Sequence, residues 1–153
     1  MFSIYLVDDD PLILEILAEQ AVWQECGFKV CGTSALPQAA LEDIVRLRPD
    51  AVLCDLKMPG MDGISLMTQA KSQGADSAFI MLSAHASFQD SRDFFTNQGF
   101  DYLLKPLDET ELQITLERLA HRLMKKRGRA PAAQVENGST IDAIMNHIRR
   151  NYT

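Results

Sequence analysis

Four short stretches of this chain each carry a reactive side chain just past an apolar run. Asp8 and Asp9 follow Ile4–Val7, Asp55 follows Ala51–Cys54, Ser83 follows Phe79–Leu82, and Lys105 follows Tyr102–Leu104. Each run is short and bounded by polar or turn residues, so each reads as a buried parallel strand. Open α/β sheets bind ligands outside the carboxyl ends of their strands. Side by side, the four runs bring three carboxylates, a hydroxyl and an ammonium to one edge. Adjacent carboxylates raise one another's proton affinity unless a cation sits among them. The arrangement predicts a divalent metal, and the lysine beside it predicts an incoming anion. A hard, oxygen-ligated ion such as Mg²⁺ fits a site with few carboxylates and open positions for water and phosphate oxygen.

The elements that must position these residues are legible in the periodicity. Strands are predicted at 3–7, 28–32, 51–54, 78–82 and 101–104, and helices at 11–24, 37–47, 63–73, 87–98 and 109–127. Such alternation implies right-handed crossovers and a parallel sheet covered on both faces. Asp10 followed by Pro11 is a helix N-cap with proline in the first turn, and Asp62 is a second N-cap. Gly27 and Gly74 end helices, Pro49 follows one closely as a stop, and Asn97-Gln98-Gly99 closes another. Leu112, Leu116, Leu119 and Leu123 form one apolar stripe, expected to pack on the sheet.

At 153 residues, 46% hydrophobic and 24% charged, the composition is that of a globular domain with a remainder. No apolar run reaches the roughly 18 residues of a membrane span, and no signal peptide is visible at the start. Three cysteines, Cys26, Cys31 and Cys54, lack metal-ligand spacing and read as reduced, mostly buried thiols in a cytoplasmic protein. His85, His121 and His147 show no partner pattern and read as surface or loop residues. Charge divides unevenly: residues 1–117 carry a net −12 and residues 118–153 a net +6. Six basic and no acidic residues lie between Arg118 and Arg129. They suit the C-terminal end of a helix dipole, with contact to DNA as a secondary reading.

Residues 128–139 lack periodicity and read as a linker. Beyond them Ile141, Ile144, Met145 and Ile148 fall at helical spacing behind Ser139-Thr140. One helix with an uncovered apolar face is not a domain, so the expectation is a front part of something longer: 1–127 one domain, 128–139 a linker, 140–153 the start of a second.

Four separated motifs then resemble one family. Leu6-Val7-Asp8-Asp9-Asp10-Pro11, Asp55-Leu56-Lys57-Met58-Pro59-Gly60-Met61-Asp62-Gly63, Ser83-Ala84 and Asp101-Tyr102-Leu103-Leu104-Lys105-Pro106 resemble the receiver domain of two-component response regulators, in order and over about residues 1–127. The resemblance implies a flavodoxin-like five-stranded parallel sheet of order 2-1-3-4-5 with five helices. It implies that Asp55 accepts the phosphoryl group, that Asp9, Asp55 and the backbone carbonyl of Lys57 hold Mg²⁺ directly, and that Asp8 holds it largely through water. Ser83 and Lys105 would bind the phosphoryl group, Ser83 and Tyr102 would form the switch, and Lys105–Pro106 would be a cis peptide. The phosphoryl donor would be a sensor histidine kinase. A homodimer would form through the fourth helix, fifth strand and fifth helix. The domain itself would be no enzyme beyond self-phosphorylation and self-dephosphorylation. Phe94 and Phe95 depart from the family, which often has a small residue there. Residues 141–153 resemble the opening helix of an AraC-type helix-turn-helix domain, implying DNA binding and transcription regulation through a part this chain lacks.

Two rivals differ in class. A haloacid-dehalogenase-type phosphohydrolase also forms an aspartyl phosphate, but that family places a second Asp two positions after the nucleophile, where this chain has Lys57. A purely protein-binding pseudo-receiver would not need the full acid pocket, and every acid is present.

Overall fold

The computed structural model describes residues 1–84 and 88–128, with only the backbone of Phe88, Gln89 and Gly128. Five parallel strands, β1 (Phe2–Val7), β2 (Phe28–Ser34), β3 (Ala51–Asp55), β4 (Ala78–Ser83) and β5 (Asp101–Leu104), form one sheet of order β2-β1-β3-β4-β5. The helices are α1 (Pro11–Ala18), α2 (Val22–Glu25), α3 (Pro37–Leu47), α4 (Gly63–Ser72), α5 (Phe88–Thr96) and α6 (Glu109–Gly128). The alternating pattern predicts the parallel sheet, and its order is the flavodoxin-like one that the resemblance implies. The predicted linker and the 140–153 helix lie outside the described residues, as do His85 and His147.

Strand alternation splits the core into two layers. Ile4, Leu6, Phe28, Leu53, Ile80, Leu82 and Leu103 face one side, where α2 contributes Val22 and Trp23. There α6 lays down Leu112, Leu116, Leu119 and Leu123, so the leucine stripe is a sheet-packing face. Tyr5, Val7, Val52, Cys54, Phe79 and Met81 face the other side, against α3, α4 and Phe94 of α5. Because both faces are covered, the strands read as continuous apolar runs rather than alternating ones.

One predicted helix is two. The stretch 11–24 breaks after Ala18, and a short turn leads into α2. The indole Nε1 of Trp23 donates to the Leu17 carbonyl at 2.6 Å, and the Gln20 side chain donates to the Ile16 carbonyl at 3.1 Å. These donors satisfy carbonyls freed at the helix end, and the break lets Trp23 turn into the core. Apolar residues surround α1 (Leu12 and Ile16 are exposed), so periodicity alone could not locate the break.

Caps behave as their residue types dictate. Asp10 accepts from the Leu12 amide and Asp62 from the Ser65 amide. Pro11 and Pro37 occupy first turns. Gly27 and Gly74 take positive φ at helix ends. Only Cys54 of the three thiols is buried; Cys26 is partly buried and Cys31 exposed. Cys31 falls where the β1–β2 register shifts, on an edge strand, and the register shift turns it outward. The basic end of α6 is tied down rather than simply solvated. Arg127 pairs with Asp50 at 3.2 Å, Lys126 with Asp76 at 2.7 Å, and Arg118 with Asp101. Among the described residues no helix is long and apolar enough to cross a membrane.

The same register shift makes room for a fully buried tyrosine. Tyr5 donates its hydroxyl to Asp43 at 2.6 Å, and a Cβ at Gly32 would lie 2.8 Å from its ring. Gly32→Ala is expected to lower stability by about 1–3 kcal/mol through overpacking, read as a lower urea midpoint. An unchanged midpoint would show that the ring is free to move.

Candidate functional site

The sheet's order reverses between β1 and β3, which leaves a crevice at their carboxyl ends. Asp8 and Asp9 emerge there from β1, and Asp55 is the last residue of β3. Carboxylate oxygens of Asp8, Asp9 and Asp55 all lie within 4.8 Å of one another. Asp8 is 1% and Asp55 6% exposed, while Asp9 faces solvent. The Asp10 amide donates to Asp8 at 2.9 Å and fixes its carboxylate.

Lys105 reaches this cluster from β5. Its Nζ lies 3.3 Å from Asp8 and 3.4 Å from Asp55. The strand ends are laced by backbone: the Lys105 amide donates to the Ser83 carbonyl at 2.7 Å, and the Leu56 amide to the Leu82 carbonyl at 2.8 Å. Ser83 is 2% exposed at the end of β4. The Lys105–Pro106 peptide is cis. Lys57, two residues past Asp55, points outward and pairs with Asp90 of α5 at 3.5 Å.

Charge sets the chemistry. Burial is the main cause that pushes the Asp55 carboxyl up to about 6; Lys105 opposes it, and Asp8 and Asp9 add to it. Burial pulls Lys105 down, but the Asp55 and Asp8 carboxylates outweigh it and hold the ammonium above its ordinary value. With these acids ionised, one ammonium faces three carboxylates, so two negative charges stay uncompensated. Hard oxygen donors at this separation, with one donor open to solvent, fit Mg²⁺, which keeps several waters and takes few carboxylates.

The structure thus brings together Asp8, Asp9, Asp55 and Lys105 directly, with Ser83 at the neighbouring strand end. Tyr102 lies one row away, and its hydroxyl is already buried. An expected surface residue is corrected: His121 is half-buried, with Nε2 enclosed and unpartnered among the described residues, because α6 turns this position towards the domain. Two supports lie beside the site, Gly63 named in the sequence only as part of a motif and Phe94 only for its bulk. A Cβ at Gly63 would meet the Met81 sulfur at 2.4 Å and the Asp55 carbonyl at 2.7 Å, so only glycine lets α4 start this close to β3. Phe94 is fully buried and edge-on to Tyr102, whereas its neighbour Phe95 is half-exposed.

Comparison with known proteins agrees with this geometry. The profile of the response regulator receiver domain matches residues 4–117, and the chain belongs to that family. It is 32% identical over 126 residues to an uncharacterized transcriptional regulatory protein of Bacillus subtilis, YesN, covering 82% of this chain and 34% of that protein. It is 33% identical over 155 residues to the transcriptional regulatory protein ZraR of Klebsiella oxytoca, covering 95% of this chain and 34% of that one. The chain therefore spans about a third of the length of these two relatives. Among solved structures it is similar to the receiver domain of AraT, a response regulator from Geobacillus stearothermophilus, with a TM-score of 0.74 and 28% identity, covering 82% of this chain and 98% of that one. The receiver domain of Francisella response regulator 1452 superposes with a TM-score of 0.70 at 28% identity, covering 80% and 99%.

The Asp55 shift has a sign that can be measured. Its folded pKa lies above the unfolded value of 3.8, so the folded chain binds the proton more tightly. Stability from this group is present below about pH 4 and is lost as pH rises through about 6. In metal-free buffer near pH 7, Asp55→Asn is expected to gain about 1–2 kcal/mol. It should also lose most of the Mg²⁺-induced rise in Tm that the wild type shows. A variant no more stable than wild type, or one with an undiminished Mg²⁺ effect, would contradict the charge argument.

Proposed function

We propose that the chain is the phosphoacceptor of a two-component relay, with Asp55 taking a phosphoryl group from a sensor histidine kinase. The observation that carries this is the Lys105 ammonium, held within 3.4 Å of Asp8 and Asp55 at the mouth of the three-acid cluster. An Asp55 carboxylate oxygen attacks phosphorus, the phosphorus–nitrogen bond of the donor breaks, and the donor imidazole leaves with its electron pair. Such a transfer asks little covalent chemistry of the protein and much positioning and charge neutralisation. Asp9, Asp55 and the Lys57 carbonyl would hold Mg²⁺ directly, and Asp8 largely through water. When bound, the ion supplies positive charge to the equatorial phosphoryl oxygens. Lys105 exchanges its carboxylate contacts for a phosphoryl oxygen, and Ser83 offers its hydroxyl to another.

The phosphoryl group adds a charge of roughly −1.5 to −2. That charge biases a two-state equilibrium in α5, β5 and α6, with Ser83 and Tyr102 as the switch pair. This face exposes one large apolar side chain from each element: Phe95 at 49%, Leu104 at 46% and Ile114 at 41%. Homodimerisation through it follows, with an output domain, of which residues 140–153 are the beginning, binding DNA and regulating transcription in the cytoplasm. The names of the relatives support that output. The domain is not itself a turnover enzyme.

Two experiments test this. Acetyl phosphate with Mg²⁺ is expected to label the wild type and not Asp55→Asn. Lys105→Met is expected to slow labelling about 10²-fold while binding Mg²⁺ at least as well. Label on Asp55→Asn, or turnover of a phosphomonoester, would refute the assignment. For the dimer, sedimentation of the phosphorylated chain is expected to show association that Leu104→Glu removes. A phosphorylated wild type that stays monomeric would exclude that face as a dimer seam for this chain.

A further inference from the structure

Tyr102 presents a physical problem. Its hydroxyl is buried and has no hydrogen-bond partner among the described residues, and leaving a buried hydroxyl unpaired costs free energy. Among the described residues, packing rather than a hydrogen bond holds the side chain in. The ring lies edge-on to Phe94, with centroids 5.8 Å apart at 65°, a favoured geometry for aromatic pairs. Phe94 is itself fully buried. Gly99 makes that burial possible: a Cβ there would come within 2.1 Å of the Phe94 ring, and the Gly99 amide donates to the Phe94 carbonyl at 3.0 Å.

The pair is also connected to the acceptor. Tyr102 stands opposite Met81, and Met81 opposite Cys54, in one cross-strand row. The Met81 sulfur, the Cys54 sulfur and the Asp55 carbonyl are the three atoms that crowd Gly63 at the start of α4. A contiguous line of packed groups therefore runs from the backbone of Asp55 to Phe94 on α5. On its far side Phe94 meets Phe95 edge-on at 5.1 Å, and Phe95 is half-exposed.

We infer that Phe94 is a positioning residue that holds Tyr102 turned inward before any phosphoryl group arrives, and that it links Tyr102 to the exposed Phe95. The signalling consequence rests on the reading of Asp55 as phosphoacceptor; the positioning does not. Against the cost of a hydroxyl that has no partner among the described residues, ring packing favours the inward state over the outward one. Removing the aromatic contact shifts their ratio about two- to tenfold toward outward. In this chain the switch is thus pre-biased, and phosphorylation adds to a population already inward.

The test uses the 153-residue chain labelled with 3-fluorotyrosine and read by ¹⁹F NMR, with Tyr→Phe variants assigning each resonance. In metal-free wild type the Tyr102 resonance is expected to be insensitive to exchange of H₂O for D₂O. In Phe94→Ala it is expected to become solvent-sensitive. Gly99→Ala, which displaces the Phe94 ring without deleting it, should do the same and serves if the first variant does not fold. A solvent-sensitive Tyr102 in the wild type overturns the inference, as does a resonance unmoved in a folded variant. Addition of Mg²⁺ and trifluoroberyllate, an acyl-phosphate mimic, should return Tyr102 inward in the variants. If no protein responds to that addition, the Asp55 assignment fails, and the metal-free comparison still decides the role of Phe94.

Discussion

Electrostatic repulsion among three neighbouring carboxylates is the constraint on which the rest of this structure depends. Asp8, Asp9 and Asp55 come within 4.8 Å of one another, two of them almost out of water. Left alone, such a cluster weakens the fold. The chain answers with one ammonium, drawn from the far strand of the site, and that is one positive charge against three negative. The deficit makes the pocket a fit for a divalent cation.

Everything around the pocket serves to hold that unfavourable arrangement open. The sheet's reversal between β1 and β3 separates the acids onto two strands whose relative position is fixed by backbone pairing. Strand-end hydrogen bonds from Lys105 to Ser83 and from Leu56 to Leu82 lock β3, β4 and β5 to one another. Two apolar layers clamp the sheet from both faces, and the ion pairs of α6 anchor its end at the opposite edge, with Asp50 and Asp76. Stability is gathered far from the site, and the site carries the destabilising charge, a division common at functional positions.

Much of this was legible in the chain itself. The parallel sheet and the meeting of Asp8, Asp9, Asp55 and Lys105 follow from where apolar runs stop and what stops them, and the strand order follows from the family resemblance. The helix caps at Asp10 and Asp62 follow from residue type. What the sequence hid depends on three-dimensional packing. The break after Ala18 arises because Trp23 prefers the core, and an all-round apolar helix offers no period to reveal it. The outward turn of Cys31 comes from a register shift, which no local pattern signals. Nothing local in the sequence shows that Gly63 and Gly99 each leave space for a neighbouring side chain or backbone group. The half-burial of His121 likewise depends on the tertiary angle of α6.

The central claim is that acids from β1 and β3 share one divalent cation beside an amine from β5. Anomalous diffraction from a crystal soaked in Mn²⁺ with trifluoroberyllate tests it most directly. The account predicts a metal peak among Asp9, Asp55 and the Lys57 carbonyl, with the beryllium on Asp55 and Lys105 Nζ against a fluorine. A metal peak elsewhere on the molecule, or beryllium on any other carboxylate, would contradict it.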